Sequence, residues 1–348
     1  MDNINTNLNT LSKCKSDIKN AIEQHNIVVD VPLTGYADKI RSISITSVPC
    51  VFYPGTKFKN STFESSPVFN TSEFTDMSHM FENCVNLKNI YTYSTSNVTN
   101  MSHMFSGCTN LISIPELDTN NVTDMNGMFE NCVNLTTIPE LDTSNVIAFG
   151  NKTTDKSGYP STNGMFAGCS NLTQIPKLNT TNGQYFSYMF FGCVNLTTIP
   201  ELDTSNAIVI DRIFYDCSSL ESLPLIDCSS LEIIILDSWN KYETPPTKYI
   251  VKGCTNLTHV GGFKNLGRSY PSIRDENGSW LTFDILDLSS CTKLTTESLN
   301  NIINNLYDRV AAKYEGSLRI IWSKDSFDKL TTTMKNKLNN KGYTFTYQ

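Results

Sequence analysis

The sequence has no long hydrophobic run, no cluster of basic residues and very little histidine. No stretch approaches the roughly 18 consecutive apolar residues that a membrane-spanning helix requires, so we expect no membrane insertion. Lys and Arg number 27 against 34 Asp and Glu, which gives a net charge of −7, and the basic residues are scattered. Because nucleic-acid binding needs clustered basic side chains, we expect no nucleic-acid partner.

Catalytic and targeting motifs are also absent. The histidines lie in no nucleophile elbow, H-E-x-x-H motif or Cys-His zinc spacing; they are His25, His79, His103 and His259. We therefore expect a protein that is not an enzyme and that uses no metal or cofactor. The start, MDNINTNLNTLSKCKSDIKN, lacks the pattern of a Sec signal, and the end, GYTFTYQ, lacks a wall-sorting or lipid-anchor pattern.

What the sequence has in quantity is an internal repeat. Residues 117–140 read LDTNNVTDMNGMFENCVNLTTIPE and directly follow a close copy at 93–116, YSTSNVTNMSHMFSGCTNLISIPE. Further copies occupy 141–177, 178–201 and 202–225, and diverged ones occupy 69–92 and 226–262. A fixed period of this length is typical of a solenoid, in which each unit buries its apolar face only by stacking on its neighbours.

Each copy predicts a short helix followed by an extended segment. Four apolar residues share one helical face: Val122, Met125, Met128 and Phe129. Either Asn121 or Thr123 is placed to cap that turn. The extended segment then carries Leu135, Ile138 and Leu141 past a shared core, and a proline recurs at one register, which does not suit a wide hydrogen-bonded sheet.

The run F-x-x-C-x-x-L-x-x-I, following N-V-T-D-M-x-x-M-F, resembles the BspA-like leucine-rich repeats of bacterial, protozoan and phage surface proteins. It recurs in register over about two thirds of the chain, which makes the match specific. The resemblance implies an α/β repeat solenoid, namely a right-handed leucine-rich-repeat solenoid, and a role in adhesion or recognition. It implies no substrate.

Eleven cysteines are present, and most occupy one position of the repeat. We predict that these are buried free thiols, because side chains that stack in parallel seldom meet disulfide geometry and a small apolar side chain suits a tight turn. The repeat cysteines are Cys84, Cys108, Cys132, Cys169, Cys193, Cys217, Cys254 and Cys291.

The two ends of the chain depart from the repeat. We predict an N-terminal helical anchor segment at 1–45, an irregular lead-in at 46–68, the solenoid at 69–294 and a C-terminal α/β cap at 295–348. The stretch IKNAIEQHNIVVDVPLTGYADKIRSI resembles a segment of bacteriophage tail and fibre proteins, and a plain N-terminal cap is the alternative. The run LTTESLNNIINNLYD with NKGYT resembles the C-terminal cap of phage-encoded repeat proteins.

The C-terminal region predicts a helix, a strand and a second helix. Thr295 or Thr296 is the cap of the first helix, whose apolar stripe is Leu299, Ile302, Ile303 and Leu306. The strand is Leu318–Trp322. The second helix is marked by Phe327, Leu330, Met334 and Leu338, and it ends at Gly342 before YTFTY.

Long intervals between repeat cysteines predict inserted loops along one edge of the solenoid. Cys132 to Cys169 exceeds the standard interval by thirteen residues, and so does Cys217 to Cys254. Because Trp and Tyr are enriched in binding hot spots, we predict that these inserts and the next long interval form the binding edge. The anchors are Trp239 and Trp280, with Tyr159, Tyr242 and Tyr270 around them. The alternative is that each ring packs onto its own loop.

Three rows of residues recur at fixed repeat positions, and the first competes with the inserts as the binding surface. The exposed strand face carries Glu116, Thr137, Glu140, Thr198 and Glu201. His79 and His103 occupy one repeat position and should stack about 5 Å apart; a shared metal is the functional interpretation and a permissive surface position the favoured one. A third ladder precedes the Met of the repeat, where helix capping is favoured over calcium: Asp76, Asn100 and Asp124.

These patterns predict a non-enzymatic recognition and attachment protein, a phage virion fibre or tail-associated protein that displays a repeat solenoid for host-surface binding. The expected partners are other virion proteins through residues 1–45 and a glycan or protein of the host surface. The expected location is the virion, assembled in the host cytoplasm. The alternatives are an architectural virion subunit that packs on other structural proteins, and an adhesin on the bacterial cell surface.

Overall fold

The computed structural model describes residues 57–151, 164–231, 247–268, 278–279 and 282–348. The chain divides into two compact units, Met1–Tyr53 with Val68–Asn70, and Pro54–Pro67 with Thr71–Gln348. Of the first unit only residues 68–70 are described, so the predicted N-terminal helical segment lies outside the described residues. The second unit carries the repeats.

Each repeat is one coil of chain that bonds to the next coil. Isolated parallel bridges join equivalent residues of successive coils: Asp76 to Asn100, Asn100 to Asp124, Asp124 to Ala148, Ala148 to Tyr185, and Tyr185 to Val209. The bridge from Ala148 to Tyr185 crosses an interval that contains extra residues, and it still joins equivalent positions. The insertion therefore leaves the stacking register intact.

The prediction of a short helix within each coil is wrong, because this stretch forms successive β-turns. The Met128 N–H donates to Met125 O at 3.1 Å, while the Phe129 N–H crosses to Met165 O of the next coil at 2.9 Å. The third residue of the turn, Gly127, has a φ of 62°, which a right-handed helix excludes. Turns in tandem bring residues three and four apart to the core, such as Met125, Met128 and Phe129, so apolar spacing alone does not separate them from a helical turn.

A ladder of phenylalanine rings runs through the core of the repeats. Phe105, Phe129 and Phe166 are fully buried, and Phe129 stacks on them at centroid distances of 5.8 Å and 5.7 Å. The members are Phe58, Phe81, Phe105, Phe129, Phe166, Phe190 and Phe214. Each coil therefore buries its ring only with the help of its two neighbours.

The repeat cysteines form a second buried ladder, and the prediction of buried free thiols is confirmed at all eight positions. Their thiols donate to backbone carbonyls of the preceding coil; Cys132 Sγ lies 3.1 Å from Phe105 O. Burial raises the pKa of the Cys193 thiol to about 12. The cysteines at the N-terminal end, Cys14 and Cys50, lie outside the described residues.

Regular strand pairing in the described repeats is confined to the last coils. The parallel pairs are β1 (Ser222–Leu223) with β3 (His259–Val260), and β2 (Ile226–Asp227) with β4 (Phe263–Lys264). In earlier coils the extended segment forms backbone hydrogen bonds to the neighbouring coil only at residues that precede its proline. For example, the Thr136 N–H donates to Ile112 O at 3.0 Å. Proline has no N–H to donate, so the recurring register of Pro115 and Pro139 limits pairing there.

A three-stranded parallel sheet with helices follows the repeats. Its elements are β5 (Phe283–Leu288), α1 (Thr296–Asn305), β6 (Leu318–Trp322), α2 (Lys324–Asp328), α3 (Thr332–Asn340) and β7 (Tyr343–Tyr347). The strand order is β5-β6-β7. Strand β5 also bonds to the last repeat coil, where the Asp287 N–H donates to Lys248 O at 2.8 Å. The sheet thus continues the coil-to-coil hydrogen bonding of the repeats.

Most of the C-terminal predictions are confirmed. Helix α1 begins after Thr295, whose hydroxyl accepts the Ser298 N–H, and the strand at 318–322 is present. The buried residues of the predicted stripe are Leu299, Ile302, Ile303 and Leu306. The second predicted helix is in fact two, because the Thr331 hydroxyl accepts the Met334 N–H and starts a new helix.

Helix content is low in the described part of the chain, where α1, α2 and α3 are the only α-helices. None of them has the length and apolar character needed to cross a bilayer. The regular ladder of buried Cys and Phe is the packing expected of a repeat solenoid. The right-handed sense and the capping role of the C-terminal region stay predictions.

Candidate binding surface

Two polar rows tie each coil to its neighbours and so fix which side chains face outward. The Thr119 hydroxyl donates to Asp142 O of the next coil at 2.8 Å. Asn121 Nδ2 donates in the opposite direction, to Ser96 O of the preceding coil at 2.7 Å. Asn121 is therefore a bridge between coils rather than a helix cap. The recurring D-T-x-N of the sequence is explained by these structural bonds.

The strand-face ladder predicted from the sequence is exposed. All five of its side chains are exposed to solvent: Glu116, Thr137, Glu140, Thr198 and Glu201. Within the described part of the chain, none of the five forms a hydrogen bond or an ion pair. The preceding residues differ, since Thr136 Oγ1 bonds to Ile112 O at 3.4 Å and Thr197 Oγ1 to Thr173 O at 3.3 Å. The ladder is therefore free to contact a partner, and its binding role stays a prediction.

The strand face carries charges of both signs. Glu116 and Glu140 lie on successive coils, and the exposed Lys177 takes the equivalent position between Glu140 and Glu201. A neighbouring acidic row is partly engaged in local structure, because Asp142 Oδ1 accepts the Ser144 N–H at 2.9 Å. These hydrogen bonds from Ser144 lower the pKa of Asp142. The face is thus a mixed polar surface rather than a purely acidic one.

The ladder of Asp76, Asn100 and Asp124 does cap a backbone turn, although not a helix. Each side-chain Oδ1 accepts the N–H two residues further on, at 2.7 Å, 2.9 Å and 3.0 Å respectively. This is an Asx-turn, which satisfies a local backbone donor. The acidic residues are explained without calcium.

The predicted insert anchors lie outside the described residues. They are Tyr159, Trp239, Tyr242, Tyr270 and Trp280. Their role as binding anchors therefore stays a prediction.

His79 and His103 stack as predicted, with ring centroids 4.8 Å apart and planes within 9°. His79 Nδ1 lies 2.6 Å from Glu82 Oε2, and His103 Nδ1 lies 3.6 Å from Glu130 Oε2. Lone pairs of an imidazole lie in the ring plane, so parallel stacked rings direct them side by side rather than at one ion. Both histidines have positive φ, 56° and 54°, and Gly127 takes the same turn position with a φ of 62°. The stacking of the two histidines therefore follows from the backbone conformation of the turn and needs no metal.

An arginine between two tyrosines was not predicted. The Arg212 guanidinium carbon lies 5.6 Å from the ring centroid of Tyr188 and 5.2 Å from that of Tyr249. Its Nη1 donates to Tyr188 Oη at 2.9 Å and also pairs with Asp211. Burial raises the pKa of Asp211 to about 6 despite this partner. The sequence does contain a clue to this cluster. The repeat position that holds His or Gly in the earlier coils holds Tyr188 and then Arg212 in the later ones.

The described residues contain no group of three or more His, Cys, Asp or Glu side chains arranged to hold a metal. The chemistry available on the outward positions is hydrogen bonding, ion pairing and aromatic contact. Such groups suit binding of a partner more than conversion of a substrate.

Comparisons with known families agree with the repeat architecture. Residues 162–261 match the family described as BspA type Leucine rich repeat region (6 copies). Residues 51–159 match the family described as Mycoplasma protein of unknown function, DUF285. No curated protein of significant similarity was found. Residues 162–261 are therefore similar to BspA-type leucine-rich repeats and residues 51–159 to the Mycoplasma family, and neither family has a known catalytic role.

Proposed function

We propose that this protein is a non-enzymatic recognition and attachment protein that displays its stacked coils to a surface partner. The proposal rests on the observation that, within each coil, different residue positions hold the coils together and face the solvent. Phe, Cys, Thr and Asn rows hold the coils together, while the strand-face ladder is exposed and takes no part in holding them. Rigid scaffolds that present such positions are a common basis for binding. The BspA-type repeats support the same class.

The strand face would bind through hydrogen bonds and paired charges. Thr137 and Thr198 offer hydroxyls that donate and accept, and Glu140 and Glu201 flank the cation of Lys177. A partner that combines hydroxyl or amide groups with charges of both signs fits this face, such as a glycan or a protein of the host surface. The insert aromatics, led by Trp239 and Trp280, are the competing anchors.

Two locations follow from different observations. The resemblance of IKNAIEQHNIVVDVPLTGYADKIRSI, residues 18–43, to a segment of phage tail and fibre proteins supports a virion component, which would contact other virion proteins through residues 1–45. The match of residues 51–159 to a family described from Mycoplasma fits a protein of a bacterial cell, for which the candidate is a cell-surface adhesin. An architectural virion subunit remains the alternative if the coils pack on other structural proteins.

Single-residue variants distinguish binding by the inserts from binding by the strand face. If the inserts bind, Trp239→Ala and Trp280→Ala should each weaken attachment of the purified protein to cells while leaving the melting temperature nearly unchanged. Charge reversal at Glu140 and Glu201 should then do little. If the strand face binds, the charge reversals should weaken attachment and the tryptophan changes should act on stability alone.

Mass spectrometry of particles and cells tests the location. Stoichiometric presence of the chain in purified virions would support the virion component and remove the cell-surface adhesin. Surface labelling of the chain on intact bacterial cells, with none in virions, would reverse that assignment.

A further inference from the structure

An open groove of ≈ 430 Å³ runs along the edge of the coils that carries the asparagine row. Its walls come from two rows, each contributed by three successive coils: Asn121, Thr123, Asn145, Ile147, Asn182 and Gln184. We propose that this groove binds a linear, uncharged oligosaccharide. The assignment rests on the proposed function, because it adds to the strand face a second outward surface and names its ligand class.

The asparagines of the groove are held in place before any ligand arrives. Asn121, Asn145 and Asn182 each donate one amide hydrogen to a carbonyl of the preceding coil, each at 2.7 Å. A carboxamide has two donors and an acceptor oxygen, so each side chain keeps a donor and an acceptor for a ligand. Binding then orders little that is not already ordered, which lowers its entropic cost.

The backbone beside the groove is already satisfied. The N–H groups of Thr123, Ile147 and Gln184 donate to Thr99 O, Thr123 O and Ile147 O, each at 2.9 Å. An extended peptide would add to an open strand edge through such groups, and these three are taken. The Thr123 hydroxyl already donates to Thr99 O at 3.2 Å, so it can only accept from a ligand. The free hydrogen-bonding capacity of the groove lies in side-chain amides, which can donate and accept at once. Sugar hydroxyls need that combination.

The charge of the groove selects among sugars. None of its six lining residues is charged, while the chain as a whole carries −7. An anionic polysaccharide would find no cation in the groove and would be repelled by the net charge at low salt. Ile147 is 37% exposed and offers an apolar contact to the C–H face of a sugar ring. An uncharged sugar fits both observations.

The repeat also sets the form of the ligand. The same pair of positions recurs in each of three coils, and neighbouring strands lie about 4.8 Å apart. A chain of identical units can therefore place successive units against successive coils with the same contacts. A linear oligosaccharide matches this arrangement better than a single sugar.

Calorimetric titration of the full chain tests the proposal. The probes are short linear oligosaccharides of glucose, mannose and N-acetylglucosamine, with uronic-acid oligosaccharides as the charged comparison. We expect at least one uncharged probe to bind, and Ile147→Glu and Gln184→Ala to weaken that binding at least about tenfold. The matched control is Val310→Glu, because Val310 is 57% exposed and lies in the C-terminal region, outside the groove and the strand face; it should bind normally.

Three outcomes overturn the assignment: no uncharged probe binds, the charged probes bind better, or Val310→Glu weakens binding as much as Ile147→Glu. Melting curves of all variants separate a binding defect from unfolding. Attachment to cells is measured in parallel. If cells bind the chain while no oligosaccharide does, the groove assignment fails and the proposed attachment function stands. If the oligosaccharide binds while no cell does, the groove is supported and the attachment function fails.

Discussion

Replacing Phe129 with Ala should destabilise the protein by about 3–5 kcal/mol, the usual cost of deleting a buried aromatic ring. The upper half of that range is expected, because Phe129 is fully buried and stacks on a ring on each side, at 5.8 Å and 5.7 Å. Such pairs contribute about 0.5–1.5 kcal/mol each beyond their buried area. Urea unfolding followed by circular dichroism measures the change in the free energy of unfolding.

The matched control is Phe191→Ala. Phe191 is only partly buried; it stacks on Tyr215 at 5.3 Å and lies tilted against Tyr188 at 5.7 Å. Because the ring is partly exposed, its loss should cost about 1–2 kcal/mol. A change below about 1 kcal/mol for Phe129→Ala, or equal losses for the two variants, would refute the continuous phenylalanine ladder.

Two further predictions concern cysteine reactivity and pH. The eight repeat thiols should react slowly with a thiol reagent in the native protein and completely after denaturation. The reason is that burial raises the pKa of these thiols, for Cys84 to about 11. Rapid labelling of most of them in the native protein would contradict the buried ladder. Folding raises the pKa of Asp211 from 3.8 to about 6. Between these pH values the native state binds more protons than the unfolded state, so the free energy of unfolding falls as the pH rises, by at most about 3 kcal/mol. Asp211→Asn should remove this loss, and an unchanged pH dependence of the melting temperature in the variant would show that Asp211 does not cause it.

The sequence predicted the repeat period, the inward positions and most of the C-terminal elements, because these follow from periodic burial and from capping residues such as Thr295. It did not predict the tandem turns. Residues four apart, such as Met125 and Phe129, reach the core from either a helix or a pair of turns, and only the positive φ of Gly127 separates the two. That conformation depends on hydrogen bonds to the next coil, which no local pattern contains.

The candidate sites divide in the same way. The exposed strand-face ladder could be predicted, because positions between buried Leu and Ile must face outward. The groove and the Arg212 stack could not be predicted, because each is built from residues that are distant in sequence and meet only through the coil register. Asn145 and Asn182, for example, come from coils separated by an insertion.

The central claim is that this protein works by binding through its outward positions. The most direct test is a titration of the fluorescently labelled full chain on bacterial cells, animal cells and immobilised glycans. The account predicts saturable binding to at least one of these surfaces, which unlabelled protein competes away and which a variant of the groove, the strand face or the inserts weakens while its melting temperature is unchanged. Absence of saturable binding to every surface, or binding that no variant of the outward positions affects, would contradict it.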